Sequence, residues 1–253
     1  MNPVYACPVL DGDAVVLDGA EGRHAATVRR TRVGEVVDLV DGHGTRVTGT
    51  VTGTTKDSLT VEVTARVVEP LPSPRITLVQ ALAKGDRGEL AVELATEVGV
   101  DAIVPWAASR CVVKWDGERG DKALERWRTT AREAAKQSRR AWFPDVAPLA
   151  RTADLARLGG QLVVLHESAG TALSAVPLLV DVSDASSGPG SVTDVDKAAI
   201  VLVVGPEGGI SDDELASLTA AGGTAVRLGS TVLRTSTAGA AAIAVVSART
   251  GRW

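Results

Sequence analysis

Two hydrophobic rhythms divide the chain. Up to residue 68 the apolar positions mostly alternate with polar ones in short stretches: "AVVLDG" (14–19), "GEVVDLVDGHG" (34–44), "TRVTGTVTGTT" (45–55) and "SLTVEVTARVV" (58–68). A period of two with Asp-Gly and Gly-rich turns predicts strands buried on one face. Between the first two, "EGRHAATVRRTR" (21–32) suits a short helix carrying basic residues. Residues 1–70 are thus expected to form a small β-barrel module. "EPLPSPR" (69–75) follows, with three prolines in five residues, which prevents helix, discourages sheet and marks the boundary. Beyond it apolar runs alternate with segments of helical period. The strands are "RITLVQAL" (75–82), "DAIVPW" (101–106), "QLVVLHE" (161–167), "AAIVLVV" (198–204) and "TAVRLG" (224–229). The helices are "DRGELAVELATEVGV" (86–100), with Leu90, Leu94 and Val98 on one face, "DKALERWRTTAREAAKQSRR" (121–140), "SDDELASLTAAG" (211–222) and "STAGAAAIAVVSAR" (236–249). Strands apolar throughout, each followed by a helix, predict a parallel sheet covered on both faces over residues 71–253. Residues 181–197 are rich in Ser, Asp and Gly and read as a flexible surface insertion without chemistry.

The candidate chemistry lies at strand ends. The run 198–204 closes in Gly205-Pro206-Glu207-Gly208-Gly209, and a helix follows at once. Gly205 can take a positive φ, Pro206 stiffens the turn, and Gly208 and Gly209 keep it bare. Ser211 with Glu214 makes a capping box that fixes the helix start. Such a loop at the carboxyl end of a strand is the usual ligand position in open α/β sheets. No lysine follows the glycines and two aspartates do, so a polyphosphate loop is disfavoured, and the spacing is wrong for a dinucleotide fingerprint. By itself the turn reads equally well as helix packing. Two further strands end the same way, in "VVLHESAG" (163–170) and in "RLGSTVLRTSTAGAAA" (227–242). Three small-residue loops can enclose one flat ligand between backbone amides and carbonyls.

"VVGPEGGISDDEL" followed by "LGSTVLRTSTA" resembles the C-terminal signature of the bacterial 16S ribosomal RNA (uracil-N3) methyltransferases, members of the trefoil-knotted SPOUT superfamily. "HAATVRRTRVGEVVDLVDGHG" resembles that family's PUA-like barrel, and "ALAKGDRGELAVELATEVGVDAIVPWAASRCVVK" the start of its catalytic domain. The resemblance implies S-adenosyl-L-methionine held in a knot. Its loops would contribute Leu165, His166 and Glu167; Gly205, Pro206, Glu207 and Gly208; and Leu228, Gly229, Leu233, Arg234, Ser236 and Thr237. It also implies a homodimer, with the small, apolar last helix covered by a partner subunit. Members usually read Leu-Arg-x-Glu-Thr where this chain has Leu233-Arg234-Thr235-Ser236-Thr237. Ser236 can cap the last helix or hydrogen-bond the cofactor but cannot be a general base unaided. Methyl transfer to uracil N3 requires loss of a proton, so a base or an anion-stabilising cation is needed. The candidates are Glu207 as base or loop-shaping residue, and Arg140 or Arg234 as stabilisers. The alternatives are a SPOUT enzyme for another RNA position and a non-catalytic RNA-binding assembly factor.

Composition narrows the partners. Net charge is −4, so any contact with small-subunit ribosomal RNA, free or in the assembled subunit, must use local patches. Residues 110–140 hold ten Lys/Arg against five Asp/Glu. Arg128, Arg132, Lys136 and Arg139 fall at helical spacing as one stripe, opposite a packing face of Leu124, Trp127, Ala131, Ala134 and Ser138. Arg23, His24, Arg29, Arg30 and Arg32 form a second cationic group. Either group can instead be solvated surface. Cys7 and Cys111 make no disulfide framework, and His24, His43 and His166 have no metal-ligand spacing, so no metal is expected. Without a signal peptide or a run of about 18 apolar residues, a cytoplasmic protein is expected.

Overall fold

The computed structural model describes residues 2–179 and 199–253. The segment read as an insertion, 181–197, lies outside them. The chain clusters into two compact units: residues up to Leu71 with Ala135–Phe143, and Pro72–Ala134 with Pro144–Trp253.

The first unit is a five-stranded sheet in the order β1 (Val4–Ala6), β3 (Val36–Val40), β4 (Thr45–Thr54), β5 (Leu59–Val68), β2 (Ala14–Leu17). β1 runs parallel to β3 and the other pairs are antiparallel. Alternate residues Val37, Leu39, Val47, Val51, Leu59 and Val61 are fully buried with Tyr5, Leu17 and Ala25, as the two-residue period predicts. Register shifts at Thr48/Gly49 and Val51/Gly53 bend the long β4–β5 pair. The basic helix is shorter than expected: α1 (Gly19–Arg23) runs into a π-helical turn, His24–Val28. Arg29, Arg30 and Arg32 therefore lie beyond it, with Arg30 at φ 56°.

The segment 135–143 belongs to this unit through specific bonds. Trp142 Nε1 donates to Glu69 O at 3.0 Å, the Phe143 N–H to Gly42 O at 2.9 Å, and the Gly44 N–H to Ala141 O at 3.0 Å.

In the second unit six parallel strands lie in the order β11 (Thr224–Val226), β9 (Gln161–Leu165), β10 (Ala199–Val204), β6 (Arg75–Ala81), β7 (Ala102–Trp106), β8 (Asp145–Val146). β10, apolar at every position, is buried at every position. One face packs Leu78, Ile103, Val163, Ile200 and Leu202 against α2 (Arg87–Glu97), α3 (Gly117–Gln137) and α6 (Thr235–Thr250). The other packs Val79, Val104, Val164, Val201 and Val203 with Leu155 of α4 (Thr152–Leu155) and Leu218 of α5 (Asp212–Ala220). β1, β8 and α4 carry too few residues to show a period.

Two helix readings, those of α2 and α3, need correction. The buried face of α2 is Gly88, Ala91, Val92, Ala95 and Thr96, while Leu90 is 41% exposed. α2 packs against the Ala-rich α6, and two helices of small residues approach closely through their small faces. Within the single chain α6 is buried on one side. Gly239, Ala242, Ile243, Val246 and Ser247 are buried, whereas Ala240, Ala241, Ala244 and Val245 are half-buried. α3 ends at Gln137, so Ser138, Arg139 and Arg140 lie outside it. Arg139 is left-handed at φ 59°, which stops the helix, and its carbonyl accepts from Arg46 Nη2 at 2.8 Å.

Candidate active site

The loops that follow β9, β10 and β11 meet at the carboxyl edge of the parallel sheet, and local bonding fixes them to one another. The His166 N–H donates to Val226 O at 2.8 Å, the Arg227 N–H to Thr171 O at 2.9 Å, and the Leu173 N–H to Arg227 O at 2.8 Å. The Arg227 side chain adds bonds to the carbonyls of Ala169 and Gly170. The middle loop turns on a Gly209 N–H to Pro206 O bond of 2.9 Å and is held from outside by Arg110 Nη1, 3.1 Å from Gly208 O.

The left-handed residue of this loop is Gly209, at φ 73°, and not Gly205 as expected. Gly205 is required for a different reason: a Cβ there would stand 2.7 Å from Ile210 Cγ1. Ser211 caps α5 as read, its Oγ accepting from the Glu214 N–H at 3.3 Å while Glu214 Oε2 accepts from the Ser211 N–H at 3.2 Å.

Between the loops lies a cleft of about 500 Å³, within the range that holds a nucleoside-sized ligand. Of the residues the resemblance implied, Leu165, His166, Glu167, Gly205, Pro206, Glu207, Gly208, Leu228, Gly229, Leu233 and Arg234 line it. Ser236 and Thr237 do not. Arg234 is the N-cap of α6, so Ser236 falls inside the helix, where it is buried at 3% exposure and makes no cap. Thr235, which the sequence reading passed over, lines the cleft in their place, as do Arg87, Arg227 and Thr231. Arg140 lies in the first unit, outside the lining residues.

Glu207 is engaged. Its Oε1 accepts from the Lys84 N–H and from Arg87 Nη1, both at 3.1 Å. Burial disfavours its charge, but its own N–H, that of Lys84 and the Arg87 guanidinium outweigh burial and hold the carboxyl below the usual carboxylate value. A carboxylate stabilised in this way is a poor proton acceptor. Arg87 escaped the sequence reading because its spacing from Glu207 is set only by the pairing of β6 with β10.

Behind the middle loop, Glu214 is 7% exposed. It accepts from Ser109 N–H at 2.7 Å, Ser109 Oγ at 2.8 Å, Ser211 Oγ at 2.9 Å and Thr152 Oγ1 at 3.0 Å. Burial raises its pKa, and the bonds from Ser109 and Ser211 more than reverse this, so the net shift is downward. With a depressed folded value, the stabilisation is complete above the value of an unfolded glutamate and is lost as pH falls through the folded one. Glu214→Gln is therefore expected to lower stability at neutral pH by about 1–3 kcal/mol and to flatten the acid limb of a plot of urea midpoint against pH.

The basic stripe on α3 is broken. Lys136 is 8% exposed and pairs with Glu21 at 2.6 Å, and Arg139 is off the helix. Lys136 thus serves packing within the first unit. Arg128 and Arg132 remain exposed, Arg128 pairing with Glu125. Arg29 and Arg30 are exposed, and Arg23 pairs loosely with Asp57 at 3.3 Å. Among the described residues no cluster of His, Cys, Asp or Glu could hold a metal ion, and no helix is long and apolar enough to cross a membrane.

A six-stranded parallel sheet with a cleft lined by three strand-end loops at its carboxyl edge defines an α/β ligand-binding domain. The chain belongs to the RNA methyltransferase family: residues 69–247 match its RNA methyltransferase domain and residues 17–64 its RNA methyltransferase PUA domain. It is 47% identical over 249 residues to ribosomal RNA small subunit methyltransferase E of Mycobacterium tuberculosis, covering 96% of this chain and 89% of that one. It is 29% identical over 238 residues to the Bacillus subtilis protein of the same name, covering 92% and 90%. It is also similar to the crystal structure of ribosomal RNA small subunit methyltransferase E from Neisseria gonorrhoeae bound to S-adenosyl methionine. There the TM-score is 0.82 and the identity 28%, with 98% of each chain covered.

Proposed function

We propose that the protein transfers a methyl group from S-adenosyl-L-methionine to N3 of a uridine in 16S ribosomal RNA. The observation that carries this reading is the cleft lined by three strand-end loops, including the glycine-rich Gly205–Gly209 turn, in a chain 47% identical to an enzyme named for small-subunit rRNA methylation.

The donor set fits an uncharged adenine and ribose better than a polyphosphate. No lysine lines the cleft, and of its three arginines Arg87 is paired with Glu207 and Arg227 is bonded to the carbonyls of Ala169 and Gly170. Leu165, Gly205–Gly208 and Leu228–Arg234 would hold the cofactor, which when bound supplies the methyl group. The remaining chemistry belongs to the chain: it aligns the two reactants and stabilises the uracil anion left when N3 gives its proton to solvent water. Arg234 is exposed at the cleft and has no acidic partner among the described residues, which suits it to that last role. Glu207, held ionised by Lys84 and Arg87, shapes the loop and does not take the proton. On this reading Glu207→Gln lowers kcat/KM by about tenfold and leaves the shape of the pH–rate profile across neutrality unchanged. A lost limb in that profile would restore Glu207 as the base.

We assign residues 1–70 to RNA binding and 71–253 to catalysis, with Arg23, Arg29, Arg30, Arg128 and Arg132 as phosphate contacts. The same reading includes threading of the three loops as a trefoil knot, and action in the cytoplasm on free or assembled small-subunit RNA. It also includes a homodimer covering the half-buried Ala240, Ala241, Ala244 and Val245 of α6.

The test is incubation of the protein with radiolabelled S-adenosyl-L-methionine and small ribosomal subunits from cells lacking the activity, followed by nucleoside mass spectrometry. Label in 3-methyluridine supports the reading. Label in another nucleoside moves the target, and no label despite cofactor binding points to an assembly factor.

A further inference from the structure

β6 is apolar along its buried length except for Thr77 and Gln80, and Gln80 is fully buried. Its Nε2 donates to Ala81 O at 3.2 Å and to Thr235 Oγ1 at 2.9 Å. The Thr235 hydroxyl in turn donates to Gly205 O at 2.8 Å. A hydroxyl has one proton, so with that proton given to Gly205 the Thr235 oxygen must accept from Gln80. Two acceptors on one side of the amide fix which end is nitrogen. Gln80 Oε1 is left buried without a partner. An unpaired buried acceptor opposes folding, and a leucine or methionine would fill the strand position without that cost.

The amide is tolerated where it ties two walls of the cleft together. Gly205 opens the middle loop and Thr235 is the first residue of α6, just past the third loop; both line the cleft. β6 pairs directly with β10, with Gln80 opposite Val204, so the amide sits one residue from the turn it steadies. We infer that Gln80 is a positioning residue for methyl transfer. Through the Thr235 hydroxyl it fixes the Gly205 carbonyl against the start of α6, and so sets the spacing between the loops that hold the cofactor. This rests on the cofactor reading above.

The test is calorimetric titration of S-adenosyl-L-methionine into the full chain and into Gln80→Met, Thr235→Val, Thr235→Ser and the Gln80→Met/Thr235→Val double variant, with urea midpoints measured in parallel. Gln80→Met and Thr235→Val are each expected to weaken cofactor binding about tenfold. The double variant should be no weaker than the worse single one, because both cut the same relay. Thr235→Ser, which keeps the hydroxyl, should bind within about twofold of the unaltered chain. The urea midpoint of Gln80→Met should not fall, since an unpaired acceptor has been removed. Should that variant fail to fold, the Thr235 pair carries the same comparison. Unchanged affinity in the single variants, additive losses in the double one, or failure of serine to rescue would overturn the inference and leave the cofactor reading standing. No binding by the unaltered chain would overturn both.

Discussion

Arg252→Ala is expected to lower the stability of the protein by about 3–5 kcal/mol, the range for breaking a buried ion pair by removing one partner. Arg252 stands two residues from the helical end of α6, at 9% side-chain exposure, and faces Asp101 at 4%. The pairing is forked: Nη1 lies 2.6 Å from Oδ2 and Nη2 lies 3.2 Å from Oδ1. The same nitrogens donate to Pro74 O and Gly99 O, both at 2.9 Å. Asp101 Oδ2 also accepts the N–H of Ile76, the second residue of β6, at 2.8 Å. One guanidinium thus joins the last helix, the entry to β6 and the turn between α2 and β7. Alanine would remove the forked guanidinium from the buried Asp101 carboxylate and leave two carbonyls short of a donor. A fall in the urea midpoint at unchanged m-value would report this. Arg252→Lys should recover only a small part, because an ammonium cannot span both carboxylate oxygens and both carbonyls. A midpoint within experimental error of the unaltered chain would show that the fork contributes nothing net.

How much of this was legible in the sequence follows from the range of the interactions. The parallel sheet was legible because β10 is apolar and β6 largely so, and such runs alternating with helical segments fit strands covered on both faces. The three loops of the cleft were legible because small residues at strand ends leave a local mark. What the sequence hid was pairing over distance. Lys136 matches a cationic stripe by spacing, yet Glu21, 115 residues away, draws it into the interior. Arg87 and Glu207 meet across 120 residues, and Gln80 and Thr235 across 155. Leu90, Leu94 and Val98 satisfied the helical period as well as the true face did. The choice went to Ala91, Val92 and Ala95 because α6 presents small residues to them. Ser236 was misplaced by one helical turn's geometry: once Arg234 is the N-cap, the second residue of the helix points its burial to the core and the first, Thr235, reaches the cleft.

Arg234→Ala is expected to lower kcat by about 10²–10³-fold with little loss of cofactor affinity and none of stability. Arg234 occupies a place folding would not choose for a cation. It caps the N-terminus of α6, where the helix dipole is positive, and no acidic residue lies in the first turn to offset it. Its side chain makes no ion pair among the described residues, and it lines the cleft that Glu207 and Arg87 border as a neutralised pair. Removing it should therefore leave the urea midpoint unchanged or raise it slightly, by the few tenths of a kcal/mol that an exposed charge at a helix end costs. The transition state for methylation at N3 spreads negative charge over the uracil ring, and a guanidinium that lines the cleft without an acidic partner is placed to meet it. Single-turnover rates, cofactor titration and urea midpoints on the same variant separate the possibilities. A slow chemical step with intact binding and stability assigns Arg234 to the reaction. Weakened cofactor binding with an unchanged chemical step would instead make it part of the cofactor's cradle.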